Sequence, residues 1–540
     1  MVPTAARCAL GRTRPIGSDC FRLCAATSSF GHRPQEPHSM ALAVVHTRAS
    51  LGIDAPAVAV EVHLSQGLPS LQMVGLPDSA VRESRDRVRS ALLNSGYQFP
   101  QRRITINLAP ADLPKDGGRF DLAIAIGLLV ASEQLTSPHL NNLEMLGELA
   151  LSGEVRGVPG VLSAKRAALS VGRQLLLPQA NAAEAALASG AGHICATLLE
   201  ACALLCAPSL PAPDATEAPV PPAVPPLSLD DVVGQQDAKW ALVVAAAGGH
   251  NLLMLGPPGT GKTMLARRLP GLLPMLRESE ALEVATVHSV ANRFGSAPTF
   301  GLRPFRDPHH TASAAAMVGG GRPPRPGEVS LAHQGVLFLD ELPEFDRRVL
   351  EVLREPLEAG DVVIARARMT VRFPARFQLV AAMNPCPAGQ VCKGPEHCQC
   401  TPEQARRYRA KLSGPLLDRI DLHIQVPPVA PSALLSEQRD NNDNALRERV
   451  TAAQATQWAR RGKLNRDLTA AELECDCVLS PVARRLLERA AERLGLSARA
   501  VHRLLRVART LADLADRNAV QEQDILQALS FRQLDARSSG

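Results

Sequence analysis

Residues 252–263 read Leu252-Leu253-Met254-Leu255-Gly256-Pro257-Pro258-Gly259-Thr260-Gly261-Lys262-Thr263. Four apolar residues run directly into G-x-x-x-x-G-K-T, and an apolar, helix-prone stretch follows over 264–269. Strand, glycine-rich turn and helix in that order predict a phosphate-binding P-loop. Gly256, Gly259 and Gly261 let the backbone aim its N–H groups at phosphate oxygens, with Pro257, Pro258 and Thr260 completing the loop. The spacing brings Lys262 to the β- and γ-phosphates and the Thr263 hydroxyl to Mg²⁺. ATP and Mg²⁺ are therefore the expected ligands.

The remaining composition bounds the answer. The chain has 540 residues, enough for three or four domains, and its hydrophobic share of 46% and charged share of 21% are those of a globular protein. A formal net charge of +6 permits a nucleic-acid partner without requiring one. With only 3% aromatic residues, a surface that grips single strands mainly by base stacking is disfavoured. No apolar run approaches the roughly 18 residues of a membrane span. The twelve Cys follow no disulfide framework, which points to a reducing cytoplasm. Regular patterning begins after Met40, and translation is expected to start there. Residues 1–39 then read as a disordered or mis-assigned extension, although their Arg- and Ser-containing, acid-poor makeup also fits a transit peptide.

Residues 40–206 read as a first α/β unit. Residues 57–64 alternate through Val58, Val60, Val62 and Leu64 as a half-buried strand does; 66–69 read as a turn and 70–74 as a return strand. Asp78 is a good N-cap for a helix that Gly96 stops, and Arg82, Arg85 and Arg89 share one face of it. That face either touches phosphates or is simply solvated. At Pro114-Lys115-Asp116-Gly117 and at Gly147-Glu148-Leu149-Ala150-Leu151-Ser152-Gly153 the unit resembles the Lon-type protease domain, a fold similar to ribosomal protein S5 domain 2. The resemblance implies a Ser nucleophile after the first motif and a Lys after the second. Here Arg119 holds the Ser position, and the Lys position falls at Ala164 beside Lys165. Without a hydroxyl nucleophile acyl transfer lacks its first step. The expectation is a retained fold without peptidase activity. Residues 207–227 are Pro-rich and read as an extended linker.

Residues 228–428 read as the nucleotide-binding core. Asp231-Val232-Val233-Gly234-Gln235 resembles the adenine-side segment of AAA+ ATPases, with Val233 and Gly234 at the base. Gly335-Val336-Leu337-Phe338-Leu339-Asp340-Glu341 is a buried strand ending in two acids, the Walker B form. Asp340 is expected on Mg²⁺ and Glu341 on the attacking water. Leu379-Val380-Ala381-Ala382-Met383-Asn384-Pro385 is a second such strand. An Asn before Pro alone reads as a turn residue; in this order Asn384 matches sensor 1. Gly414-Pro415-Leu416-Leu417-Asp418-Arg419-Ile420-Asp421 resembles the arginine-finger segment, which implies that Arg419 reaches the ATP of a neighbouring subunit. Two insertions interrupt the core. One, 303–331, holds Arg306, His309, His310 and Gly319-Gly320-Gly321, a run that predicts a freely bending loop. The two His read as packing or hydrogen-bonding residues rather than as metal ligands. The other, 362–373, reads as a hairpin presenting Arg366, Arg368 and Arg372 either to DNA in a ring's pore or to solvent.

Arg306-Asp307-Pro308-His309-His310-Thr311, Gly327-Glu328-Val329-Ser330-Leu331-Ala332-His333 and the segments 337–345 and 413–423 together resemble the magnesium chelatase-like AAA+ ATPases of the ComM (YifB) family. The resemblance covers residues 40 to about 531, front unit included. It implies a homo-hexameric, ATP-dependent DNA motor that promotes branch migration when incoming single-stranded DNA is recombined during natural transformation. It also leaves open a chelatase-type motor for metal insertion, a protein-remodelling factor and a non-hydrolysing scaffold. Cys386, Cys392, Cys398 and Cys400, with His397 among them, either hold structural Zn²⁺ or stay as free thiols; their spacing is irregular. Residues 429–540 read as a helical connection and a C-terminal helical lid. There Arg499 matches sensor 2, and Arg503 and Arg506 lie further along the same helix.

Overall fold

The computed structural model describes residues 41–190, 192–211, 227–293, 300–366, 369–388, 400–429 and 442–532. Residues 1–39, most of the Pro-rich stretch, Arg368, Cys392, His397 and Cys398 lie outside the described residues.

The front unit is built on a seven-stranded sheet. Its strands are β1 (Ala41–Arg48), β2 (Ala57–Ser65), β3 (Ser70–Val74), β4 (Arg103–Ala109), β5 (Leu143–Met145), β6 (Gln174–Pro178) and β7 (Gly192–Cys195), in the order β3-β4-β2-β1-β5-β6-β7. The alternation in β2 puts Val58, Val60, Val62 and Leu64 inside. The expected hairpin between β2 and β3 does not form: β4 inserts between them, antiparallel to β2 and parallel to β3. The cause is the alternation in β4, whose Ile104, Ile106 and Leu108 are fully buried. β3 has no buried residue and stays at the edge. Helix α1 (Ser79–Asn94) starts where the Asp78 carboxylate accepts from the Val81 N–H at 2.7 Å. Arg82, Arg85 and Arg89 are exposed along it. Helix α2 (Asp121–Ala131) is apolar almost throughout and nearly every residue in it is buried.

The core sheet is entirely parallel. Its strands are β8 (Leu252–Leu255), β9 (Phe305–Arg306), β10 (Val336–Leu339), then, past the hairpin strands β11 (Asp361–Arg366) and β12 (Met369–Pro374), β13 (Gln378–Met383) and β14 (Leu422–Gln425). The order is β9-β10-β13-β8-β14. Continuous apolar strands are what a sheet covered on both faces requires. The chain leaves β8 for the far edge, works back to β13, and crosses over β8 to β14. That change of direction puts the end of β8 at the switch point where open α/β sheets bind ligands. Phe338 is fully buried in β10 and stacks on Phe305 at 6.0 Å between ring centroids. Phe338→Ala is expected to cost about 3–5 kcal/mol, seen as a lower denaturant midpoint in equilibrium unfolding.

Helices α3 (Asp443–Arg461), α4 (Pro481–Leu494), α5 (Ala498–Leu514) and α6 (Glu522–Ser530) share one apolar cluster with the helix Gln236–Gly248 of the core. Polar ties fix the contact: Gln454 and Gln457 donate to the carbonyls of Ala246 and Ala247 at 2.8 and 3.0 Å. The glycine run at 319–321 is not a free loop. Gly319–Gly320 forms a short antiparallel ladder with Arg325–Pro326, and a Cβ on Gly319 would lie 2.4 Å from the Arg325 carbonyl. The glycines there allow close backbone approach. Among the described residues no helix is long and apolar enough to cross a membrane.

Candidate ATP site

The P-loop leaves β8 between the ends of β13 and β14. The Gly256 N–H donates to Met383 O at 3.2 Å, and a Cβ there would lie 2.3 Å from Val426 O. Gly259 and Gly261 have φ of +77° and +88°, a region that side chains with a Cβ avoid. Lys262 then opens the helix Lys262–Ala266 and turns back into the loop. Its Nζ donates to Gly256 O at 2.7 Å, Pro257 O at 2.8 Å and Asn384 Oδ1 at 3.2 Å. Burial pushes its pKa down, and the charges of Asp340 and Glu341 pull it part of the way back. Thr263 Oγ1 donates to Asp340 Oδ2 at 2.7 Å. A hydroxyl and a carboxylate so placed are hard oxygen donors suited to Mg²⁺. Five expected residues, Gly256, Lys262, Thr263, Asp340 and Asn384, thus meet from three separate strands. Val233 and Gly234 are brought alongside through Gln235, whose Nε2 donates to Thr260 O at 3.4 Å and Pro427 O at 2.6 Å. These residues fit a nucleoside triphosphate with its magnesium.

Glu341 follows in a left-handed backbone conformation, φ +52°. For a residue other than glycine this costs about 1–3 kcal/mol and is characteristic of sites where direction matters. The side chain is half-exposed, and its Oε2 lies 3.5 Å from Nδ1 of His310. The sequence reads His310 as a packing or hydrogen-bonding residue without naming a partner; the contact crosses from one insertion to the end of β10, so spacing alone gave no signal for Glu341.

Arg419 sits at the other end of the sheet. Its carbonyl accepts from Asn251 Nδ2 at 2.9 Å, and Asn251 immediately precedes β8. The four residues of β8 span roughly 13 Å, so Arg419 is remote from its own P-loop. Its guanidinium lies 2.5 Å from Glu358 Oε1 and donates to Pro415 O at 2.6 Å. Arg499 is not brought to that P-loop either: it donates to the same Glu358 oxygen at 3.1 Å. Glu358, on the short helix Arg354–Ala359, was not singled out in the sequence.

The hairpin forms as the sequence suggests, β11 pairing antiparallel with β12 from Asp361↔Pro374 to Arg366↔Met369. Val362, Ile364, Val371 and Phe373 are buried in it, with Leu51 and Ile53 of the front unit packed alongside. Arg366 is exposed near the tip. Arg372 is nearer the base and its Nε donates to Asp361 Oδ2 at 2.8 Å, so its charge is already matched. Arg306 is likewise engaged, bidentate on Glu328 at 2.6 and 2.9 Å. Cys386 is buried and Cys400 half-buried, and among the described residues no group of three or more His, Cys, Asp or Glu is gathered to hold a metal ion. In the front unit Arg119 is fully buried, donates to Pro159 O at 3.3 Å, and is pushed down by burial to about 10. Lys165 points into carbonyls, Ala185 O at 2.8 Å and Ala188 O at 2.9 Å.

Comparison with known proteins agrees with this geometry. Residues 228–434 match the family magnesium chelatase, subunit ChlI; residues 60–181 match subunit ChlI of Mg-chelatase; residues 441–532 match the ChlI C-terminal family. YifB of Salmonella typhimurium is 51% identical over 500 residues, 92% of this chain and 98% of its own length. Competence protein ComM of Haemophilus influenzae is 50% identical over 501 residues, 91% of this chain and 98% of its own. The magnesium-chelatase 38 kDa subunit of Cereibacter sphaeroides is 28% identical over 177 residues, 30% of this chain and 53% of its own. The half-identical relatives cover more than nine-tenths of this chain, the 38 kDa subunit less than a third of it. On sequence, P-loop geometry and full-length likeness together, this chain belongs to the magnesium chelatase-like AAA+ ATPases of the ComM/YifB type.

Proposed function

We propose that the protein is an ATP-hydrolysing DNA motor, a helicase or branch-migration factor, that works as a homo-hexamer in the cytoplasm. The observation that carries this is the separation of Arg419 from its own P-loop. An arginine finger contributes about 10³–10⁵ in turnover. One that cannot reach its own ATP is explained by a ring in which each subunit completes its neighbour's site. Lys262 and Mg²⁺ neutralise phosphate charge, Asp340 and Thr263 hold the metal, Glu341 polarises water, and Asn384 orients it. Arg419 and Arg499 both act in trans. Closing those shared sites moves the hairpin, and Arg366 and Arg368 draw the DNA phosphates through the ring. The name of the Haemophilus relative supports a place in competence, where the motor would drive recombination of incoming DNA.

The same reading assigns residues 40–206 to a Lon-like unit used for docking rather than cleavage, 207–227 to a linker, 228–428 to the ATPase core and 429–540 to the connection and lid. No casein degradation is expected. It needs no zinc.

The test is ATPase turnover with and without single-stranded, duplex and four-way-junction DNA, paired with sedimentation. Stimulation by DNA and ATP-dependent assembly are expected. A chain that stays monomeric with ATP and DNA, or a rate indifferent to every polynucleotide, overturns the reading. A second reading, a metal-insertion motor, is favoured by the ChlI matches; stimulation by a chelatase subunit in place of DNA would establish it. Removing Arg366 and Arg368 together is expected to weaken DNA binding uniformly across sequences. The slope of log affinity against log salt should flatten by about two, as read by fluorescence anisotropy.

A further inference from the structure

We propose that Asn251 is a positioning residue for Arg419: its side-chain amide pins the Arg419 backbone to the strand that ends in the P-loop. This rests on the reading that ATP sites are shared between subunits and that Arg419 serves a neighbour's.

Asn251 stands where three parallel strands begin. It immediately precedes β8, and it reaches the starts of β13 and β14. Its carbonyl accepts from the N–H groups of Asp421 and Leu422 at 3.1 and 3.0 Å, and its own N–H donates to Asp421 Oδ2 at 3.2 Å. The side chain adds two bonds of opposite sense. Its Oδ1 accepts from the Leu379 N–H at 2.9 Å, and its Nδ2 donates to Arg419 O at 2.9 Å. An amide meets a donor on one side and an acceptor on the other; an ionised carboxylate does not. An apolar residue of the same shape would leave both backbone groups without partners.

The other backbone bonds around Arg419 are local turns. Asp418, Arg419 and Ile420 donate to the carbonyls of Gly414, Leu416 and Leu417 at 2.8, 2.9 and 3.0 Å. Among the described residues, the Asn251 amide is therefore the hydrogen bond that ties the Arg419 backbone to the core sheet. From Leu252 to Leu255 the strand is buried and paired on both sides, with β13 and with β14. It acts as a rigid spacer. The arginine that a subunit lends and the phosphate loop that it keeps are held at a fixed separation. Positioning of this kind is steep: a displacement of about 1 Å at a reacting group can cost roughly a hundredfold in rate.

Kinetics of the full chain test this. Asn251→Ala is expected to lower turnover about 10- to 100-fold. Binding of a fluorescent ATP analogue should stay within about twofold of native, because the P-loop lies at the other end of β8. In an Arg419→Ala background the same change should alter turnover less than about twofold, since it acts through that arginine. Asn251→Asp keeps the acceptor for Leu379 and lacks the donor to Arg419, so it should lose turnover as the alanine variant does. It also serves if the alanine variant does not fold. Native turnover by Asn251→Asp overturns the proposal, as does a loss of analogue binding as large as the loss of turnover. Mixed oligomers separate this proposal from the reading beneath it. A 1:1 mixture of Asn251→Ala with Glu341→Gln subunits should regain up to roughly a quarter of native turnover, the share of interfaces that join an intact base to a well-placed Arg419. If that mixture stays inactive while Arg419→Ala with Glu341→Gln recovers, Asn251 acts in its own site and the proposal is wrong. If both stay inactive, the shared-site reading has failed and this proposal falls with it.

Discussion

Lys262→Ala is expected to reduce ATP turnover to background and to weaken ATP binding about a hundredfold, the equivalent of about 3 kcal/mol. The side chain is buried, and its ammonium is held between two P-loop carbonyls and the Asn384 amide oxygen. Those contacts pre-position the charge; phosphate oxygens can replace them without moving the backbone. Without it, the triphosphate would enter beside the carboxylates of Asp340 and Glu341 with no lysine to offset them. Titration with a fluorescent ATP analogue in Mg²⁺ measures the loss, and an unchanged dissociation constant would contradict the role. The same lysine predicts a pH dependence. Burial lowers its folded pKa below the ordinary lysine value, so the folded protein releases this proton earlier than the unfolded chain. As pH rises through that lowered value, phosphate affinity falls, at a lower pH than an exposed lysine would show. Folding linkage runs the other way: this group opposes folding below its folded pKa, and the penalty fades as pH rises toward the unfolded value.

Glu341→Gln is expected to lower turnover about 10²–10⁴-fold while ATP binding survives. The amide keeps the shape but cannot accept the proton of the attacking water. Asp340, hydrogen-bonded to Thr263 and to the Glu341 N–H at 2.9 Å, is untouched by the change. The left-handed backbone at 341 directs the side chain away from that pair and toward His310. Binding should persist because the phosphate contacts come from Lys262 and the loop. Steady-state phosphate release beside analogue binding separates the two effects. Native hydrolysis by the variant would mean that another residue serves as the base.

Much of this protein was legible from its sequence because the decisive signals are short and contiguous. The P-loop, the two apolar strands ending at Asp340 and Asn384, and the hairpin halves each lie within about a dozen residues. Glycine geometry, strand burial and turn chemistry determine them locally. β4 between β2 and β3 was not legible, since strand pairing depends on which alternating faces share a core. The ladder at Gly319 was missed for a related reason: composition alone does not distinguish a glycine that frees a loop from one that admits a second backbone.

What the sequence by itself determined is which groups are available: a glycine-rich P-loop, two acids at the end of an apolar strand, an Asn at the end of another, and arginines further along the chain. Only the tertiary structure decided how they are grouped. Lys262 meets Asn384 across 122 residues, and Arg499 meets Glu358 across 141. Parallel strands align their carboxyl ends, which gathers Lys262, Thr263, Asp340 and Asn384. The same alignment sends Arg419 to the opposite end of the strands, where it and Arg499 share Glu358. That division follows from strand direction and helix packing, which act between segments far apart in the chain and leave no trace in the spacing of either.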